Sequence, residues 1–243
     1  MKAMIMSAGK GTRLGEITRS MPKVLVDING KSLLQHAVEY CCSYGFDDII
    51  VNVHYLADMV EEEIKRLNTK GFRISVSDER ELLLENGGGL YKARHFFDKN
   101  PFLVYNADIV TDLDLSLLLD LHLEKKALAT LAVRERPGSR FLLTDKDGVL
   151  RGWRNVSTGE EILKADSNEG LKSIGFSSVQ IIDPEIFSYM REGIYTVVDL
   201  YLELAVTGRI LTRRFDEGYW FNVGTPENLE NVREFLKSSR TTW

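Results

Sequence analysis

The chain has 243 residues, of which 44% are hydrophobic and 28% charged, with a formal net charge of −5. These are ordinary globular proportions and allow a sizeable core. The acidic balance excludes a general nucleic-acid binder, which needs a basic surface against the phosphate backbone. No apolar run approaches the length of a membrane span, and no apolar leader opens the chain. The sequence therefore predicts a cytoplasmic protein without nucleic-acid or membrane partners. Cys41 and Cys42, the only cysteines, are adjacent, so neither a mutual disulfide nor a metal-binding spacing is available.

Ala3-Met4-Ile5-Met6 reads as a buried first strand and runs into Ser7-Ala8-Gly9-Lys10-Gly11-Thr12-Arg13. Gly9 and Gly11 let the backbone turn tightly and approach a ligand. Thr12 offers a hydroxyl, Arg13 a planar cation, and Lys23 a second charge behind Pro22. A strand entering a glycine loop with such cations can hold several phosphate oxygens at once. Two better-known phosphate loops do not fit. A Walker A run needs four residues between a glycine and Gly-Lys-Ser/Thr, and none exists. The third glycine here, Gly15, falls one position late for a dinucleotide fingerprint.

Residues 32–45 predict a helix, with Ser32 as its cap and Gly45 as its stop. Then follow a strand at 48–53, a helix at 57–68, a strand at 72–76, a helix at 90–97 and a strand at 102–105. Such alternation implies right-handed crossovers and an α/β fold, a twisted, mostly parallel sheet flanked by helices. Ligands sit beyond the carboxyl ends of the strands in such sheets. The loops at 7–15 and 106–112 lie there. Before the helix at 90, Gly87-Gly88-Gly89 present no side chains, so a flat base or sugar can approach the backbone and the helix N-terminus. Asp108 ends its strand where a carboxylate can face the site, and a hard oxygen beside phosphates suits magnesium.

The second half is less regular. It predicts a strand at 129–133, a hairpin within 140–154 around Asp145-Lys146-Asp147-Gly148, and a mobile loop over 155–172. A core strand at 175–182 precedes helices at about 184–190 and 196–207. Strands at 209–215 and 220–223 and a terminal helix at 226–238 complete the chain. Trp153-Arg154-Asn155 either grips a sugar acid or phosphate or simply ends the hairpin. His36, His54, His95 and His122 show no pairing or metal spacing. The whole chain, 1–243, reads as one domain, with a nucleotide-binding half over about 1–112 and a sugar-binding half over about 113–243.

The loop with Pro22-Lys23 behind it has four companions in the same order. They are Leu84-Glu85-Asn86-Gly87-Gly88-Gly89, Tyr105-Asn106-Ala107-Asp108, the strand at 175–182, and Trp220-Phe221-Asn222-Val223-Gly224-Thr225-Pro226. Together they resemble the sugar-1-phosphate nucleotidyltransferases over essentially the whole chain. The resemblance implies a Rossmann-like fold with a small β-hairpin elaboration for the sugar. It also implies transfer of a nucleotidyl group from a nucleoside triphosphate to a sugar 1-phosphate, with release of pyrophosphate and formation of an NDP-sugar. Glu-x-Gly-Gly-Gly and the short C-terminus are most similar to the branch that joins UTP to N-acetylmuramate 1-phosphate in cell-wall recycling. GTP with mannose or heptose 1-phosphate is the alternative.

By the same resemblance, Ala8, Gly9, Gly11, Thr12 and Arg13 hold the triphosphate, with Arg13 over the departing pyrophosphate. Lys23 bridges the α-phosphate and the sugar phosphate. Glu85, Gly87 and Gly88 read the base, Asp108 and Asn222 hold Mg2+, and Asn106, Gly175, Ser178 and Trp153 border the sugar. Two positions depart from the family pattern: Asn222 replaces a second aspartate, and Ser178 stands where a glycine is usual. Asp112 is the nearest candidate for a replacement carboxylate. Two readings of another class stay open, an NDP-sugar-dependent glycosyltransferase and, because of Asn222, a non-catalytic sensor. Nothing in the sequence sets the oligomeric state.

Overall fold

The computed structural model describes residues 1–165 and 168–238. Strand β1 (Lys2–Met6) ends at the glycine loop, and a short ribbon of β2 (Asp27–Ile28) and β3 (Lys31–Ser32) leads into α1 (Leu33–Ser43). The Ser32 side chain accepts from the Gln35 amide and so caps α1, as its sequence position predicts. Then come β4 (Asp48–Val53), α2 (Ala57–Thr69), β5 (Arg73–Asp78), α3 (Glu85–Lys92) and β6 (Phe102–Asn106). Strand β1 pairs in parallel with β4 and with β6, and β4 pairs in parallel with β5. Its centre is apolar on both faces because both are covered. Ala3 and Ile5 join the cluster with residues of α1 and α2, whereas Met4 joins the cluster with residues of α3.

The second half extends this parallel core in antiparallel fashion. Its elements are β7 (Ile109–Thr111), α4 (Leu115–Lys125), β8 (Ala129–Arg134), β9 (Arg140–Thr144), β10 (Leu150–Asn155) and β11 (Glu160–Leu163). After them come β12 (Lys172–Ile182), α5 (Val197–Leu204), β13 (Ile210–Arg214), β14 (Trp220–Asn222) and α6 (Pro226–Ser238). The 11-residue β12 is the spine: it pairs antiparallel with β6, β8 and β9 and so joins the two halves in one sheet. Strands β9, β10 and β11 form a meander at the sheet edge, joined through β9 to β12. A ribbon of β7 and β14 returns the C-terminal segment to the end of β6.

Several expectations change. The helix expected at 90–97 begins at Glu85, so the three glycines lie inside it. The expected loop at 155–172 contains β11, paired to β10, while residues 166 and 167 lie outside the described part. The helix expected at about 184–190 is a 3-10 turn over Pro184–Ser188, and α4 is a helix the sequence reading left unassigned. Among the described residues, no helix is long and apolar enough to cross a membrane.

Candidate active site

The glycine loop rests on the stem of Lys23. Gly11 takes a left-handed φ of 63°, and a Cβ there would stand 2.7 Å from the Lys23 Cβ, so only glycine fits. A Cβ at Gly9 would meet nothing within 4 Å, which leaves its backbone open to a ligand. The loop is also tied sideways. The Ser7 amide donates to Asn52 Oδ1 at 2.7 Å, Asn52 Nδ2 donates to Glu79 Oε1 at 2.9 Å, and the Leu84 amide donates to Glu79 Oε2 at 3.3 Å. This chain of bonds crosses the ends of β1, β4 and β5 and fixes the loop to the start of α3. Glu79 is buried, and burial raises its carboxyl above the usual glutamate value. Sequence reasoning missed Ser7, Asn52 and Glu79; the one available signal was a polar Asn52 inside an apolar strand.

A cavity of about 490 Å3 opens over the loop. Of the residues expected at the nucleotide, Ala8, Gly9, Gly11, Thr12, Arg13, Lys23, Glu85 and Asp108 line it, and so does Asn106, which was expected beside the sugar. Lys23 follows Pro22 into a 3-10 turn that buries its stem, and its Nζ lies 2.5 Å from Asp108 Oδ2. The other Asp108 oxygen, Oδ1, is buried without a hydrogen-bond partner among the described residues. The Val223 amide donates to the Asp108 carbonyl at 2.8 Å, and Asn222 pairs with Ile109, so the β7–β14 ribbon brings Asn222 beside Asp108. A Cβ at Gly224 would lie 2.8 Å from Asn222 Oδ1 and 3.1 Å from an Arg13 nitrogen, so these two side chains share one spot.

This donor set fits a magnesium ion. Magnesium takes one or two protein carboxylates and fills its shell with phosphate oxygens and water. A buried carboxylate oxygen without a partner is the kind of group such an ion would satisfy, and the amide oxygen of Asn222 is a neutral hard ligand nearby. Asp112 does not supply the second carboxylate. Its Oδ1 accepts from the Tyr219 amide at 2.8 Å and packs on Gly218, which ties the ribbon together. Among the described residues, no cluster of three or more His, Cys, Asp or Glu could hold a metal.

The glycines of α3 correct an expectation. They serve close packing rather than access for a base. A Cβ at Gly87 would stand 2.6 Å from the Tyr195 ring, one at Gly88 would stand 2.0 Å from the Gly193 carbonyl oxygen, and one at Gly89 would stand 2.6 Å from Glu79 Oε1. Gly87 and Gly88 are buried against that segment and line no part of the cavity. Glu85 and Asn86, at the helix start, do face it. Asn86 also accepts from the Val197 amide at 2.8 Å, which joins α3 to α5.

Glu85 and Asn86 lead into a second cavity of about 530 Å3, lined also by Arg136, Arg140, Phe141, Trp153 and Ser178. A third of about 680 Å3 adjoins both, sharing Arg13 with the first and Arg136, Phe176 and Ser178 with the second. Trp153 thus reaches the cleft from β10. Its neighbours do not: Arg154 pairs with Glu161 at 2.5 Å, and Asn155 accepts from the Ser157 amide in a turn. Gly175 is buried and lines none of the three cavities, because the Arg136 side chain crosses over it. Ser178 has a φ of 61°, the left-handed region that explains why a glycine suits this position. His36, His54 and His122 bond to the Ile28 carbonyl, the Glu79 carbonyl and the Thr130 hydroxyl, all structural roles.

Comparison with known proteins shows the family and the fold. Residues 2–148 match the nucleotidyl transferase family model. The chain is 32% identical over 233 residues to an N-acetylmuramate alpha-1-phosphate uridylyltransferase of Caulobacter vibrioides, covering 93% of this chain and 92% of that one. It is 31% identical to a mannose-1-phosphate guanyltransferase of Yarrowia lipolytica, covering 94% of this chain but only 62% of that longer protein. The fold matches that of an inositol-1-phosphate CTP transferase from T. maritima, with a TM-score of 0.77 at 16% identity over 97% of this chain and 94% of that one. The chain belongs to the nucleotidyl transferase family, among its sugar-1-phosphate nucleotidyltransferases.

Proposed function

We propose that the protein joins UTP to N-acetylmuramate 1-phosphate, releasing pyrophosphate, in the cytoplasm and with magnesium. The observation that carries the reading is the Lys23–Asp108 pair, with its free Asp108 Oδ1, set where the glycine loop meets the cleft. The choice of substrates rests on two relatives of similar length named as N-acetylmuramate alpha-1-phosphate uridylyltransferases, from Caulobacter vibrioides and Neisseria meningitidis. Both reactants are anions, so the protein's task is positioning and charge neutralisation, with no covalent intermediate. The glycine loop cradles the triphosphate. Arg13 faces the pyrophosphate, where charge grows as it departs, and Lys23 turns from Asp108 toward the α-phosphate and the incoming oxygen. Magnesium, when bound by Asp108 and Asn222, supplies further positive charge to the phosphates. Glu85 and Asn86 contact the base, and Trp153 and Ser178 border the sugar. The first half, about 1–112, handles the nucleotide and the remainder the sugar, within one domain.

A matrix of four nucleoside triphosphates against several sugar 1-phosphates, read by pyrophosphate release, tests this. UTP with N-acetylmuramate 1-phosphate is expected to give the highest kcat/KM. Preference for GTP with mannose 1-phosphate would overturn the substrate assignment, and no turnover with any pair would overturn the reaction.

A further inference from the structure

Arg136 is a half-buried cation without an anion. No carboxylate pairs with it among the described residues. Burial disfavours its charge, which backbone carbonyls and a tryptophan ring offset only in part. Its position is nevertheless built with care. Gly175 has no side chain, and a Cβ there would stand 2.6 Å from Arg136 Cγ, so the arginine stem can lie across β12. Strand β12 bulges between Phe176 and Gln180, with Ser178 in its left-handed conformation at the turn. The bulge frees two carbonyls. That of Phe176 accepts from Arg136 Nε and Nη2, each at 3.3 Å, and that of Ser177 accepts from Trp220 Nε1 at 3.0 Å. The Trp220 ring then lies 5.6 Å from the guanidinium. With Nη1 donating to the Pro137 carbonyl, the guanidinium keeps free N–H groups for a ligand.

Arg136 lines both the second cavity and the third, where Arg13 and Asn222 stand. The second cavity also carries Glu85, Glu160 and Asp199 against one further cation, Arg140, so acidic groups outnumber basic ones deep inside it. In the third cavity the carboxylate of Glu135 is taken up by Arg214 at 2.6 Å. An anion is therefore favoured at the boundary, on the side facing Arg13.

We propose that Arg136 receives the 1-phosphate of the incoming sugar, and that Gly175, the bulge at Ser178 and Trp220 are positioning residues that hold it there. The proposal rests on the reaction proposed above. It makes Arg136 the counterpart of Arg13: one cation for the phosphate that joins, one for the pyrophosphate that leaves.

The test compares wild type with Arg136→Ala, Arg136→Lys, Gly175→Ala and the double variant Gly175→Ala with Arg136→Ala. Arg136→Ala should raise KM for N-acetylmuramate 1-phosphate by about 10- to 100-fold, as expected for a lost charge-assisted contact, and leave KM for UTP nearly unchanged. Arg136→Lys should recover part of the loss. Gly175→Ala should reproduce it, and the double variant should be no worse than Arg136→Ala alone. Calorimetric titration of inorganic phosphate into the UTP-saturated protein should show binding by wild type that Arg136→Ala abolishes. Equal rises in both KM values, or phosphate binding that is absent or indifferent to Arg136, would overturn the proposal. A KM effect confined to N-acetylmuramate 1-phosphate and absent with glucose 1-phosphate would also overturn it, assigning Arg136 to the sugar carboxylate. The phosphate titration needs no turnover, so failure of the proposed reaction and failure of this assignment are separable.

Discussion

The two sides of the cleft treat charge differently. On the nucleotide side the buried charged groups already have internal partners, Lys23 with Asp108 and Glu79 with Asn52. On the proposed sugar side the half-buried Arg136 has no carboxylate partner among the described residues. The proposed nucleotide side is thus preorganised by its own pairs, whereas on the proposed sugar side Arg136 is left to pair with a ligand anion. Preorganisation spares reorganisation at the moment of reaction, and an unpaired cation lends selectivity to whatever anion fills it.

The largest effect should come from cutting the nucleotide-side pair. Asp108→Asn removes the charge facing Lys23 and the proposed magnesium, and kcat should fall by about 1000-fold. Initial rates across a magnesium titration check this, and unaltered metal dependence would break the contrast. A smaller effect separates the halves by pH. His122, buried against Thr130 in the second half, has its imidazole pushed down to about 4 by burial. It stays neutral when folded but charges when unfolded, so stability should fall as pH drops from about 6.5 to about 4, by about 3 kcal/mol in all. Glu79 has the opposite sign. Its raised folded value means that its contribution is present below its unfolded value, near 4.5, and is lost as pH rises through the folded one. Urea denaturation across pH 4–8 should show the acid-side slope flattened by His122→Gln and the opposing slope removed by Glu79→Gln. Smallest is a packing effect at the seam: Gly88→Ala puts a methyl against the Gly193 carbonyl and should cost about 2 kcal/mol, read as a lowered Tm.

Local chemistry was legible in the sequence. The strand, the glycine loop, Lys23 behind proline and Asp108 at a strand end are each set by a few neighbouring residues. Groupings made by register were not. Asn52 and Glu79 meet Ser7 only because β1, β4 and β5 align in parallel, and Arg136 matters only because β12 bulges beneath it. The glycines at 87–89 read as a loop because each costs about 1 kcal/mol in a helix. Packing against Gly193 and Tyr195 outweighs that preference. Helix α4 escaped notice because Leu113, Leu115, Leu117, Leu119, Leu121 and Leu123 alternate like a strand. The buried Asp108 oxygen without a partner was not legible either, because it depends on how Lys23 takes up the other oxygen.

The meander of β9, β10 and β11 joins the rest of the sheet through three paired positions, Lys172, Ser173 and Ile174 of β12 against β9, and through a bridge from Val149 to Leu211 of β13. Arg140, Phe141, Trp153 and Ile162 reach the sugar-side cavity from this appendage, while the glycine loop, Lys23 and Asp108 hang on the parallel core. On the proposed assignment, contacts to the sugar itself come partly from this appendage, while those to the triphosphate stay on the parallel core. Over generations the meander can be lengthened, shortened or recoloured to suit a new sugar, and the machinery that breaks the triphosphate need not change with it.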